Sequence, residues 1–388
     1  MTILKVIVPI LLFAAWQMPL VQPAAAKTPY IQNNLPQFSW KHVPVWADFC
    51  APRGFNAGEE KFIAAHFSGL DIEGLQGFNG KPPSFNVESN TIAAAASIKK
   101  YNPACKVLMY FNVLVYLAHI YHADRQVRKA WLISPPGGKG NTTFQQTNPD
   151  FQNWLVNTLA NTVLRGRLDG LFLDGASCYP RINAATYSMM RRLRARFVEH
   201  NKPALILYNG LLIHGIPLAT TLAYLKWADG GMMEHFDFHP RIDPTGDSPQ
   251  KLSEQMNFIL HHGGKGKIIV VKAWPDFYWI DPDIGTIPYA TLKRRARREI
   301  SFPLACFLAC AQKYCYFCYS WGYADDCGCI LFKTGTRIID SKWYPDLMKP
   351  LGRPLGEPIV RGYQWTRHFA HADVYVDLQS HSDSIRWR

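Results

Sequence analysis

The sequence predicts an α/β protein, a (β/α)8 TIM barrel with a small C-terminal β appendage. Short apolar runs alternate with longer helical patterns along most of the 388 residues, which is typical of α/β folds. Eight of these runs are apolar along their length and polar at their C-terminal ends, which indicates parallel strands buried on both faces. A doubly wound sheet is the alternative, but ADFCAPRGF after the first run lacks the glycine spacing of a phosphate-binding turn.

The predicted elements follow one another in the order that a barrel needs. The strands are VPVWADF, FSGLDIE, KVLMYFN, GLFLDG, LILYNG, GGMMEHF, KIIVVKAW and CYFCYSWG. The helices are GEEKFIAAHF, ESNTIAAAASIKKY, PDFQNWLVNTLANTVL, TYSMMRRLRARFVEH, PQKLSEQMNFILHH and YATLKRRARREISFPLACFLACAQ. Each interval between strands is long enough for a crossover connection.

Segments outside this repeat have their own predicted roles. The interval 112–174 is the longest between strands and includes PPGGKGNTT, so we expect an extended loop over the barrel mouth. Residues 341–349 predict a closing helix, and the alternating tail predicts β-structure. The predicted domains are therefore a barrel over residues 40–350 and a β-hairpin extension over residues 351–388.

The N-terminus predicts export. Lys5 precedes an apolar run that ends near Trp16, and Ala24-Ala25-Ala26 follows, so residues 1–26 are typical of a secretory signal peptide. The run is shorter than the ~20 residues that span a bilayer, and no later segment reaches that length. Secretion allows disulfides among the nine cysteines and N-glycosylation at Asn141.

Charge and aromatic content suggest two kinds of partner. Lys and Arg exceed Asp and Glu by 13, and aromatic residues make up 13% of the chain. The arginine runs at 191–196 and 293–298 lie inside helical patterns, which favours a solvated outer face over nucleic-acid binding. Aromatic faces suit sugars, and the positive charge leaves open an acidic polysaccharide.

Two carboxylates at predicted strand ends are the candidate catalytic residues. Asp174 ends GLFLDG abruptly, and Glu234 ends GGMMEHF two strands further on. In a barrel both side chains project into the mouth. A facing pair of carboxylates is the minimum machinery of glycoside hydrolysis, since one protonates the leaving oxygen while the other attacks or activates water.

Longer motifs resemble a known family. DGLFLDGAS, ILYNG, GMMEHF and PLGEPIVRGYQWTRHF resemble the hypothetical glycoside hydrolase-like TIM-barrel family numbered fifteen, from about His42 to the C-terminus. The likeness implies a TIM barrel with glycosidase activity. It extends to retaining α-glycosidase barrels, which place a nucleophilic Asp at the end of strand four and the acid/base at the end of strand six. By position this implies Asp174 as nucleophile and Glu234 as acid/base.

Other strand-end residues are candidates for substrate binding. Asparagine supplies both a donor and an acceptor for vicinal hydroxyls, and tryptophan stacks on the apolar face of a pyranose. A lysine beside a carboxylate holds that carboxylate ionised. The expected substrate-binding residues are Asn112, Asn209, Asp237, Lys272, Trp274 and Trp321.

Two alternatives remain open at this point. Glu234, His235, Asp237 and His239 lie within six residues, which raises the hypothesis of a metal-dependent hydrolase. The first strand lacks the paired histidines of metal-dependent barrel hydrolases, so we expect no metal and no cofactor. The second alternative is a carbohydrate-binding barrel without catalysis, in which the acids do not converge.

Overall fold

The computed structural model describes residues 34–49, 51–78, 83–135, 140–177, 183–212, 216–237, 247–277, 286–321 and 343–388. The predicted signal peptide lies outside the described residues. In chain order the strands are β1 Trp46–Phe49, β2 Gly69–Ile72, β3 Lys106–Asn112, β4 Leu132–Ile133, β5 Thr143–Phe144, β6 Gly170–Asp174, β7 Leu205–Asn209, β8 Gly230–Phe236, β9 Ile268–Ala273, β10 Cys315–Tyr319, β11 Ile359–Arg361, β12 Gln364–His368, β13 Ala372–Asp377 and β14 Ser382–Trp387. The α-helices are α1 Ala57–His66, α2 Val87–Tyr101, α3 Pro149–Arg165, α4 Ala184–Glu199, α5 Leu218–Tyr224, α6 Pro249–His262, α7 Tyr289–Glu299 and α8 Ser301–Cys310.

Eight parallel strands form the barrel, in the order β1-β2-β3-β6-β7-β8-β9-β10. A parallel bridge between Val45 and Phe317 joins the last strand to the first, and the Phe317 amide donates to the carbonyl of Pro44 at 2.8 Å. Each predicted strand coincides with one of these eight, so the predicted TIM barrel is confirmed.

Alternation along the strands separates the barrel interior from the layer under the helices. The interior cluster includes Trp46, Leu108, Phe172, Leu207 and Met232, whereas the intervening residues pack outward against the helices. Trp46 fills the amino-terminal end because its neighbour in the register, at position 69 on β2, is a glycine. A Cβ at Gly69 would lie 2.2 Å from the indole ring, so this close approach requires glycine.

Local signals explain where the outer helices begin. The Asn148 side chain accepts hydrogen bonds from the amides of residues 150 and 151, and Pro149 lies in the first turn of α3. The long helix predicted after Tyr289 is instead two helices, α7 and α8. Pro303 explains the break, because it has no N–H to donate to the carbonyl of Glu299.

The basic runs lie on the outer helices. In α7 the side chains of Lys293, Arg294, Arg297 and Arg298 are exposed. Arg194 of α4 differs, because it is buried and forms an ion pair with Asp229. Most of this positive charge therefore faces solvent, away from the barrel interior.

The C-terminal appendage is an antiparallel sheet of β11 to β14. Its buried face includes Trp365, Val374 and Val376. From that face Arg367 donates to the carbonyl of Ala311, just after α8, at 2.6 Å. The sheet therefore packs on α8, on the outside of the barrel.

The structure describes parts of the long interval, the closing segment and the cysteine-rich region. The interval between β3 and β6 contains the two-stranded sheet β4-β5, and the closing segment contains a short 3-10 helix at Pro345–Met348.

Four buried cysteines, at positions 105, 306, 310 and 315, are free thiols, while Cys327 and Cys329 lie outside the described residues. Within the described chain, no helix combines the length and apolarity needed to cross a membrane.

Candidate active site

A cavity of about 180 Å³ opens at the carboxyl ends of the barrel strands. Active sites of TIM barrels occupy this end. Two larger clefts lie elsewhere, at about 640 and 630 Å³, but neither described lining contains two acidic residues. Ten residues line the cavity in the barrel mouth: Asp48, Asp71, Glu73, Tyr110, Phe172, Asp174, Asn209, Met232, Glu234 and Lys272.

Asp174 is held by hydrogen-bond donors on both oxygens. Oδ2 accepts from the Tyr110 hydroxyl at 2.6 Å and from Asn112 Nδ2 at 2.8 Å. Oδ1 accepts from the amide of Gly175 at 2.8 Å and from Asn209 Nδ2 at 3.1 Å. Burial and the charge of Glu234 raise the pKa of Asp174, against the opposing effect of these hydrogen bonds.

Asn209 joins the two candidate catalytic carboxylates. Its Nδ2 lies 2.6 Å from Glu234 Oε2 and 3.1 Å from Asp174 Oδ1. Because both oxygens bind one nitrogen atom, they are no farther apart than the sum of these two distances. The structure therefore brings Asp174, Glu234, Asn112 and Asn209 into one hydrogen-bonded group.

Lys272 lies on the other side of Glu234. Its Nζ is 3.4 Å from Glu234 Oε1 and forms a shorter contact with Asp48 Oδ2. Both Lys272 and Asp48 are 1% exposed. Burial lowers the pKa of Lys272, but the charges of Asp48 and Glu234 outweigh burial and hold that pKa well above its ordinary value.

Two further acids lie on β2 and just after it. Asp71 is buried, and its Oδ1 accepts a hydrogen bond from the Trp46 indole at 2.8 Å. Glu73 follows the strand, and its amide donates to the carbonyl of Phe49. The mouth therefore contains five carboxylates and one ammonium group among the described residues of its lining.

Asn112 and three more of the predicted substrate-binding residues lie outside the cavity lining. Trp274 is 3% exposed and stacks on His235 with the ring centroids 5.5 Å apart. Trp321 is fully buried and packs on Phe277 and Tyr289. Asp237 contacts His381 of the appendage. Substrate binding by these three residues stays a prediction.

The segment that suggested a metal site directs its side chains to different neighbours. Glu234 lines the cavity, His235 stacks on Trp274, and Asp237 binds His381; His239 lies outside the described residues. In the part of the chain that the structure describes, no three His, Cys, Asp or Glu side chains form a group that could hold a metal ion.

The strand-end pattern did not identify Tyr110, which binds Asp174. Tyr110 lies two residues before Asn112 on β3, so both side chains face the same side of the strand. The same period of two leads from Asp174 back to Phe172 and from Glu234 back to Met232, which also line the cavity. This period, applied backwards from each strand end, would have found all three.

Comparison with known proteins gives one family and a shared fold. A model of hypothetical glycosyl hydrolase family 15 matches residues 99–373. No curated protein sequence matches the chain.

Solved structures match the chain at low sequence identity. An α-amylase from Anoxybacillus has 10% identity and a TM-score of 0.50, and the match covers 91% of this chain and 97% of that one. An α-amylase from Geobacillus thermoleovorans has 12% identity and a TM-score of 0.48, covering 87% of each chain. A maltogenic α-amylase from Thermotoga neapolitana has 9% identity and a TM-score of 0.48, covering 86% of this chain and 85% of that one. At these identities the likeness concerns the fold.

Proposed function

The chain belongs to hypothetical glycosyl hydrolase family 15, and from that premise we propose that it hydrolyses O-glycosidic bonds of an oligo- or polysaccharide with retention of configuration. Asp174 is the nucleophile and Glu234 the general acid/base in this proposal. The observation that carries it is the single nitrogen, Asn209 Nδ2, that binds an oxygen of each carboxylate. The signal peptide predicted at residues 1–26 makes the proposed place of action extracellular.

The separation of the two carboxylates supports retention. Retaining glycosidases hold their two carboxyl groups about 5–5.5 Å apart, whereas inverting enzymes leave roughly 6.5–9.5 Å for a water molecule. The nearest oxygens of Asp174 and Glu234 are bounded by hydrogen bonds of 3.1 and 2.6 Å to one nitrogen. That bound is shorter than the inverting range, so it favours direct attack by a carboxylate.

The donor set favours Asp174 as the nucleophile. Its oxygens accept hydrogen bonds from two side-chain amides and one main-chain amide, and none of these nitrogens can accept a proton in return. They therefore stabilise the ionised carboxylate. Burial and the charge of Glu234 raise the pKa of Asp174, so the pair can hold one proton. In this proposal Glu234 carries that proton and Asp174 is ionised.

The proposed reaction has two steps. Asp174 attacks the anomeric carbon while Glu234 donates its proton to the departing glycosidic oxygen, which breaks the glycosidic bond and forms a glycosyl ester on Asp174. Glu234 then removes a proton from water as the water attacks the anomeric carbon and Asp174 departs. Lys272, 3.4 Å from Glu234, stabilises the ionised form that this second step requires.

The charge of the mouth bears on the class of sugar. Five carboxylates line the cavity, and its lining ammonium group is already bound to Asp48. A uronic acid in this cavity would add a further negative charge to a buried acidic site, which is unfavourable. We therefore propose a neutral or amino sugar in the cavity, although the chain as a whole carries a net charge of +13.

The non-catalytic alternative predicts acids that do not converge. Asp174 and Glu234 instead share a donor, which a carbohydrate-binding barrel has no need of. This contact favours hydrolysis over binding alone.

Asp174→Asn tests the proposal directly. Wild type and variant are assayed against chromogenic α- and β-glycosides that include neutral, amino and acidic sugars. We expect wild-type turnover of at least one neutral or amino glycoside and a loss of about 10⁴-fold or more in the variant, because the nucleophile is removed. Unchanged circular dichroism shows that the variant is folded. A folded variant with wild-type turnover would contradict the nucleophile assignment.

A further inference from the structure

The appendage reaches the strand that carries Glu234. β8 pairs with β9 in regular register as far as Met233, and the register shifts between Met233 and Phe236. Glu234 and His235 lie in this irregular stretch, and Asp237 follows it. His235 and Asp237 both have positive φ, at 59° and 71°, a strained conformation for residues other than glycine.

We propose that His381 is a positioning residue for Glu234, acting through the carboxylate of Asp237. The inference rests on the proposed acid/base role of Glu234. It makes the appendage part of the catalytic apparatus, although the appendage lies outside the barrel.

Asp237 is the anchor of the irregular stretch. Its side chain is buried, and both of its oxygens lie 3.3 Å from His381 Nε2. The hydrogen bond to Asp237 raises the pKa of His381, as expected for an imidazole that donates to a carboxylate. The main-chain carbonyl of Asp237 accepts from the amide of Asp247 at 2.6 Å. Asp237 therefore holds the strained backbone beyond Glu234 through both its side chain and its main-chain carbonyl.

His381 is itself fixed against the barrel's outer layer. It lies in the turn between β13 and β14, and its ring stacks on Phe302 of α8 with the centroids 3.6 Å apart. Two residues further on, Asp383 accepts a hydrogen bond from the Ser301 hydroxyl at the start of α8. These two contacts hold the turn, and with it the imidazole that binds the Asp237 carboxylate, against α8.

This arrangement has a kinetic consequence. Strain at His235 and Asp237 persists because surrounding contacts hold it, and the side chain of His381 in the appendage makes one of these contacts. If it is removed, the irregular stretch relaxes and the Glu234 carboxylate moves with it. A displacement of about 1 Å at a catalytic group costs on the order of 10²-fold in rate.

The experiment compares His381→Ala, His381→Gln and His368→Ala in the full chain. We expect His381→Ala to lower kcat by about 10- to 100-fold with little change in KM. The loss should be confined to substrates with poor leaving groups, because activated aryl glycosides need little acid assistance. His381→Gln keeps a donor and should recover part of the rate. The matched control, His368→Ala, removes an exposed histidine of the same sheet that pairs with Asp373, and it should leave kcat unchanged.

The outcomes separate the inference from the proposed function. An equal loss of kcat on activated and poor leaving groups, or equal losses in His381→Ala and His368→Ala, would overturn the positioning role while Asp174-dependent turnover stands. Turnover that survives Asp174→Asn would overturn the proposed function, and this inference with it. Thermal melting of each variant identifies a loss that comes from unfolding, and His381→Gln then decides the case.

Discussion

Two walls of the barrel mouth contain buried carboxylates that have different hydrogen-bonding and charge partners. On the catalytic wall, formed by β3, β6, β7 and β8, Asp174 and Glu234 face each other and share the neutral donor Asn209. On the paired wall, formed by β1, β2 and β9, Asp48 binds the ammonium group of Lys272, and Asp71 accepts from an indole.

The difference shows how one residue type acquires two roles. A carboxylate bound to a buried cation has its charge compensated and stays ionised. Two buried carboxylates that share a neutral donor also repel each other. Burial and this repulsion raise the pKa of Asp174, so the pair can readily hold one proton. In the proposed reaction, proton transfer belongs to the catalytic wall. Lys272 compensates chiefly the charge of Asp48 and, at 3.4 Å, also stabilises ionised Glu234.

Among the substitutions that compare the two walls, Glu234→Gln should have the largest effect on kcat. We expect kcat to fall about 10³-fold on glycosides with poor leaving groups, since general acid catalysis contributes about 10²–10⁴-fold. On an activated aryl glycoside, kcat/KM should fall far less. Because the charge of Glu234 raises the pKa of Asp174, its removal should also shift the acidic limb of that kcat/KM profile to lower pH. An acidic limb that stays in place or moves to higher pH would contradict the coupling.

Lys272→Met tests the paired wall through stability. Removing the cation leaves Asp48 as a buried charge without its ammonium partner, which should cost about 3–5 kcal/mol in the free energy of unfolding, measured by urea denaturation. Adding Asp48→Asn should recover most of that loss. The matched control is Lys349→Met, because Lys349 pairs with Asp346 at the surface and should cost less than about 1 kcal/mol. Equal losses in the two methionine variants would show that the paired wall has no special role.

Asn209→Ala tests whether the shared donor holds the two carboxylates of the catalytic wall in position. The variant loses the donor that both carboxylates share, so their relative position is no longer held. Loss of one such donor costs about 10²–10³-fold in rate in other enzymes, and we expect about 10²-fold in kcat here with normal folding. A variant with wild-type kcat would show that Asn209 does not hold the pair.

Asp71→Asn should have the smallest effect. Asparagine keeps an oxygen for the Trp46 indole and removes one charge from the paired wall. We expect kcat to change by less than about tenfold, because the contact between Asp71 and the Trp46 indole does not change in the proposed reaction. The same substitution at Asp174 abolishes turnover in this account. Similar losses of kcat in Asp71→Asn and Asp174→Asn would show that the two walls do not differ in their role.

The barrel and the proposed catalytic pair were accessible from the sequence for a physical reason. Parallel strands must cross over, so their carboxyl ends meet at one rim. A polar residue after each apolar run therefore placed Asp174, Asn209, Glu234 and Lys272 around one cavity. Tyr110 was accessible by the same argument, because alternation puts it on the face of Asn112.

Other features depend on contacts that no local pattern specifies. The partner of Lys272 is Asp48, 224 positions away in the chain, and closure of the barrel decides which acid it meets. The positive φ angles of His235 and Asp237 occur without glycine, so they left no sign in the sequence. The contact between Asp237 and His381 requires the docking of a sheet whose strands the sequence predicts but whose position it does not.

The most direct test of the central claim is the identity of the residue that carries the sugar during turnover. The enzyme is incubated with a fluorinated glycosyl fluoride matched to its preferred sugar, which slows release of the covalent intermediate. The labelled peptide is then sequenced by mass spectrometry. We predict one glycosyl group esterified to Asp174. A label on Glu234 or another residue would contradict the assignment, and an active enzyme that forms no adduct and releases the inverted anomer would contradict the retaining mechanism.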